Sequence, residues 1–140
     1  MAGLASKSLS ELQAYLLNAI KAMETRRAEA EELIPQILDA LAKRAAGEGS
    51  VEHPLTVLGY NVRWRNWRAR ERQTLLKWLM ENPVPGADER EWGTPGSQRR
   101  RAFLTDTIGR WRQVYGQREN MANAAARWGR DIAFLESLPR

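Results

Sequence analysis

Between Tyr60 and Arg72 the chain reads Tyr-Asn-Val-Arg-Trp-Arg-Asn-Trp-Arg-Ala-Arg-Glu-Arg, with five arginines and three aromatics in thirteen positions. Guanidinium groups fork onto phosphate or carboxylate oxygens, and indole faces stack on nucleobases. A second basic run, Arg99-Arg100-Arg101, follows about thirty residues later. At the start of a helix three cations oppose the helix dipole, so counter-charge is expected there. It can come from the acidic cluster Asp88, Glu89 and Glu91 just upstream, or from a phosphate.

Groups that carry covalent or acid–base chemistry are sparse. The chain has one histidine, His53, and no cysteine. His53 precedes Pro54 and reads as a surface residue or a cap. No HExxH, Glu-x-x-His, GxxxxGK[ST], GxGxxG or GxSxG pattern occurs, so the usual metal, phosphate-loop and nucleophile arrangements are missing. Glu31-Glu32 and the 88–91 cluster are carboxylates without a histidine or lysine beside them. A non-enzymatic protein is expected, with no catalytic residues, no metal ligands and no cofactor.

Wound on a helix at about 100° per residue, Tyr60, Trp64, Trp67 and Trp78 fall within about 40° of one line. Val62, Ala69, Leu76 and Met80 fall opposite, and the flanks hold Arg65, Arg68 and Arg72 on one side and Arg63, Arg70 and Lys77 on the other. Two packings satisfy this pattern. In one, both apolar faces are covered in a bundle and the arginines lie along the seams, with stems buried and heads in water. In the other, only the aliphatic face is core, and the aromatic strip is a stacking surface between cationic rails.

The elements that must hold these residues are helical. Ser8 and Glu11 form a capping-box pattern, and Leu9, Leu12, Leu16, Ala19, Met23, Ala30, Leu33, Ile37 and Ala40 continue in steps of three and four. Arg26 is a polar rung in that ladder, and Pro35 predicts a kink or split near Leu33–Ile34, because its ring removes an amide. A second helix is expected from about residue 52 to 82, closed by Pro83, and a long loop from 83 to 93. The last helix is expected over 94–137, opened by Thr94-Pro95. Its ladder includes Leu104, Ile108, Trp111, Val114, Trp128, Ile132 and Leu135, and Arg118 interrupts it. The fold expected is all-α: one domain, residues 1–140, forming an elongated antiparallel bundle of three long helices, or four if the first divides at Pro35.

The net charge of +5 is unevenly placed. Residues 1–52 hold 6 basic and 8 acidic side chains, a net of −2, whereas residues 53–140 hold 16 and 9, a net of +7. Such asymmetry points to an acidic partner for the second part. Neither a signal-peptide core nor a run of about 20 apolar residues is present, so a cytoplasmic, non-membrane location is expected.

In architecture and charge the chain is similar to small basic helical accessory subunits of nucleoprotein machines, such as those of CRISPR effector complexes. The function expected is sequence-independent binding of DNA or RNA through the phosphate backbone, inside a larger assembly. Arg63, Arg65, Arg68, Arg70 and Arg72 would contact phosphates, with Arg99, Arg100 and Arg101 extending the track. Tyr60, Trp64, Trp67 and Trp78 would stack on bases. The alternative is a protein–protein adaptor or homo-oligomer that docks through the same Trp/Arg face.

Overall fold

A computed structural model describes residues 3–49, 52–56, 63–115 and 121–139, with side chains for all of these except 63, 65, 111–115 and 121. The described residues are helical, without a strand: α1 (Leu9–Ala22), α2 (Arg27–Gly47), α3 (Arg63–Asn66), α4 (Ala69–Glu81), α5 (Glu89–Trp92), α6 (Gln98–Tyr115) and α7 (Met121–Ser137). None of these helices is long and apolar enough to cross a membrane. The chain forms two compact units, Met1–Leu55 with Val84–Gly86, and Thr56–Pro83 with Ala87–Arg140. The segments 53–55 and 84–86 carry no Lys, Arg, Asp or Glu. The first unit therefore has the net charge of −2 and the second the net charge of +7.

In the first unit α1 packs on α2. The reciprocal cap expected at Ser8 is present: the Glu11 amide donates to Ser8 Oγ at 3.1 Å, and the Ser8 amide donates to Glu11 Oε1 at 3.2 Å. Leu12, Leu16, Ala19 and Ile20 are buried on α1, and Ile34, Ile37, Leu38 and Leu41 on α2. Both sets recur at helical spacing, so each helix buries one stripe.

The helix divides at residues 23–26 and not at Pro35, which lies inside α2. Arg26 leaves the helical region with φ −138° and ψ 58°, at the position where it interrupts the apolar ladder. Pro35 is tolerated because the carbonyl it orphans belongs to Glu31, an exposed residue that water reaches. One carbonyl further on, Glu32 O accepts from Gln36 Nε2 at 3.2 Å.

The connector Val84–Gly86 also belongs to this unit. Gly86 has φ +80°, and a Cβ there would overlap that of Ala42, so the connector lies hard against α2. His53 fastens it: Nε2 lies 2.8 Å from the Pro85 carbonyl, while the Leu55 amide donates to Nδ1 at 3.2 Å. Only the neutral ring with its proton on Nε2 satisfies both bonds.

In the second unit α7 packs on α4 and α6, and α6 packs on α4 and α5. The expected helix over 52–82 is not continuous within the described residues. Residues 54–56 form a 3₁₀ turn, and the chain is extended at Arg68 between α3 and α4. The Arg68 amide donates to Glu71 Oε1 at 2.9 Å, which marks the new start. The expected loop 83–93 contains α5, capped by Asp88, which accepts from the Arg90 amide at 2.9 Å.

The last helix expected over 94–137 is instead two helices, α6 and α7, which pack on each other, and α6 begins at Gln98, later than Thr94-Pro95 suggested. Ser97 is its cap, because its hydroxyl accepts from the Arg100 amide at 3.0 Å. Thr94 instead forms the preceding turn and accepts from the Ser97 amide at 3.1 Å. Arg118 lies outside the described residues.

Candidate functional site

The Arg-Trp segment divides its side chains between interior and surface. Trp64 and Trp67 are 2% and 4% exposed, with ring centroids 5.5 Å apart and planes tilted by 37°. Trp64 Nε1 donates to Asp131 Oδ2 on α7 at 3.0 Å, so its polar edge is satisfied inside the unit. Trp78 is buried as well, on α4. These three rings are core, and in this conformation they offer no face to a base or to a partner. Tyr60 lies outside the described residues.

Arg72 is also interior. Its Nε donates to Asp131 Oδ1 at 3.0 Å and its Nη1 to the Trp67 carbonyl at 2.7 Å. With side chains 5% and 1% exposed, Arg72 and Asp131 form a buried ion pair that ties α4 to α7. Burial raises the Asp131 carboxyl above its ordinary value, and Arg72 and the Trp64 indole offset part of that rise.

The triple arginine follows the same logic. Arg100, 1% exposed, donates from Nε to the carbonyls of Trp92 and Gly93, from Nη2 to Gly93, and from Nη1 to Leu79 and Asn82. Leu79 and Asn82 lie at the C-terminal end of α4, where carbonyls lack intrahelical partners. Gly93, at φ +77°, lets the chain pass close beneath: a Cβ there would lie 2.6 Å from the Arg100 amide nitrogen.

Arg101, 4% exposed, donates from Nη1 to Leu135 and from Nη2 to Leu138 and Pro139, capping the end of α7. The two arginines thus close three helix C-termini, those of α4, α5 and α7, where positive charge complements the dipole. The counter-charge expected from the acidic cluster is carbonyl dipoles instead. Asp88 pairs with Arg90 at 3.3 Å, and Glu89 acts on Arg100 only by favouring its charged form.

What stays on the surface is a smaller cationic set. Arg68 and Arg70 are exposed, and so is Asn66 between the two tryptophans. Lys77 on α4, Arg99 and Arg110 on α6 and Arg130 on α7 are exposed too. Arg99 Nε donates to the Arg90 carbonyl at 2.9 Å, which holds its head beside α5. The backbone of Arg63 and Arg65 belongs to α3, and their side chains lie outside the described set. Of the eight arginines expected to meet phosphate, three are structural and three are exposed.

Sequence reasoning missed Asp131, the acceptor that turns Trp64 and Arg72 inward. The only local signal was one acidic residue on the apolar arc between Trp128 and Leu135. Among the described residues no group of three His, Cys, Asp or Glu side chains is placed to hold a metal ion. No protein-family model, curated protein or solved structure matches this chain.

Proposed function

We propose that the chain binds nucleic acid through its phosphate backbone, without sequence readout, as a non-enzymatic accessory module of a larger nucleoprotein assembly. The observation that carries this reading is the segregation of charge. The unit made of α3 to α7 has a net charge of +7, and Arg68 and Arg70 stand at its surface beside tryptophans that are buried. Neutralising phosphates releases counterions, which supplies affinity without contacts to base edges. No helix-turn-helix reader was found in the sequence, so backbone contacts are the mode that fits.

The test is a fluorescence-anisotropy titration of the full chain with labelled DNA and RNA at about 50 and 200 mM salt. Three or four phosphate contacts give a log–log salt slope of about −3. No binding at the lower salt overturns the proposal, because electrostatic binding is strongest there. Pull-down of a protein partner with no nucleic-acid binding would favour the adaptor alternative.

A further inference from the structure

We infer that the basic unit takes duplex nucleic acid in preference to single strands. The inference rests on the phosphate-backbone reading above and sharpens it to a substrate class. Proteins that hold single strands combine a cationic track with exposed aromatic faces on which successive bases stack. Among the described side chains of the Arg-Trp segment, both tryptophans are withdrawn from that role. Trp64 is bonded to a carboxylate that is itself 1% exposed, and Trp67 lies against it. Trp78 is buried on α4, and Trp92 packs on Phe103 with centroids 4.5 Å apart. To offer a ring, Trp64 would have to abandon Asp131 and strip that buried carboxylate of a donor.

The cations that remain at the surface are mounted on packed helices. Arg70 and Lys77 stand seven residues apart on α4, so they share a face about 10 Å apart along its axis. Arg99 and Arg110 are carried by α6 and Arg130 by α7, and both helices pack on α4. An array set on helices matches the fixed phosphate spacing of a duplex better than the variable path of a single strand. A duplex also carries about one charge per 1.7 Å of axis, so more phosphates lie within reach of the same cations. With those four tryptophans withheld from stacking, charge density decides.

The experiment titrates the full chain into a fluorescein-labelled mixed-sequence duplex of about 20 base pairs and into one of its strands alone, at about 50 mM salt. The expected result is duplex binding at least about fivefold tighter, with a further loss of about fivefold or more in duplex affinity for Arg70→Ala/Lys77→Ala at about 200 mM salt. A smaller duplex advantage, equal affinities or a single-strand preference overturns the inference while leaving phosphate binding standing. Binding of neither probe overturns the phosphate reading itself. Unchanged duplex affinity in a folded Arg70→Ala/Lys77→Ala protein overturns the assignment of the α4 face.

Discussion

Arg72 Nε and Asp131 Oδ1 meet at 3.0 Å across 59 positions of sequence, both almost without solvent. The same carboxylate accepts from Trp64, so one acid holds the two residue types that define the Arg-Trp segment. Asp131→Asn keeps the shape but leaves the Arg72 cation buried without its partner. A loss of about 3–5 kcal/mol in urea unfolding is expected. Replacing both partners, as Arg72→Met/Asp131→Leu, should cost less than Asp131→Asn alone, since no buried charge is then stranded.

Arg100→Lys preserves the charge and removes the fork. A lysine ammonium has three donors at one point and cannot reach four carbonyls spread over the ends of α4 and α5. With buried carbonyls left unmatched, a loss of about 2–4 kcal/mol is expected in thermal or chemical unfolding. Arg99→Lys, at an exposed position, should lie close to the native protein.

His53 gives the first unit its own titration. Burial holds the ring below its ordinary value of 6.5, against the Pro85 carbonyl, which favours the charged form. Its contribution is thus complete above pH 6.5 and is lost as pH falls through the folded value. Protonation at Nδ1 also breaks the bond from the Leu55 amide. Melting temperature should drop more steeply from pH 7 to pH 5 in the native chain than in His53→Gln.

Pro35→Ala restores the missing amide inside α2 and removes a costly residue from a helix interior. Part of the gain is offset by the freer unfolded chain. A net stabilisation of about 1–2 kcal/mol is expected from urea midpoints.

The helical character of the chain was legible because its apolar residues recur at one period, and the Ser8 cap because its partner lies three positions away. The division at residues 23–26 was not, since Met-Glu-Thr-Arg contains neither proline nor glycine and Pro35 offered a louder signal. The tryptophans illustrate a different limit. Helical spacing placed Trp64 and Trp67 on one face, but whether that face is covered depends on Asp131, 67 positions beyond Trp64. Arg100 and Arg101 read as surface charge for the same reason. The carbonyls they cap belong to α4, to the Trp92–Gly93 end of α5 and to the end of α7, and local pattern cannot show that these ends converge.

The division of labour in the Arg-Trp segment, Trp64 and Trp67 inward and Arg68 and Arg70 outward, is tested most directly by the salt slope of Arg68→Ala/Arg70→Ala on duplex DNA. The prediction is a slope shallower than that of the native chain by about 2 units, with the melting temperature little changed. An unchanged slope in a fully folded variant would contradict it, because the exposed arginines of the segment would then not be the groups that meet phosphate.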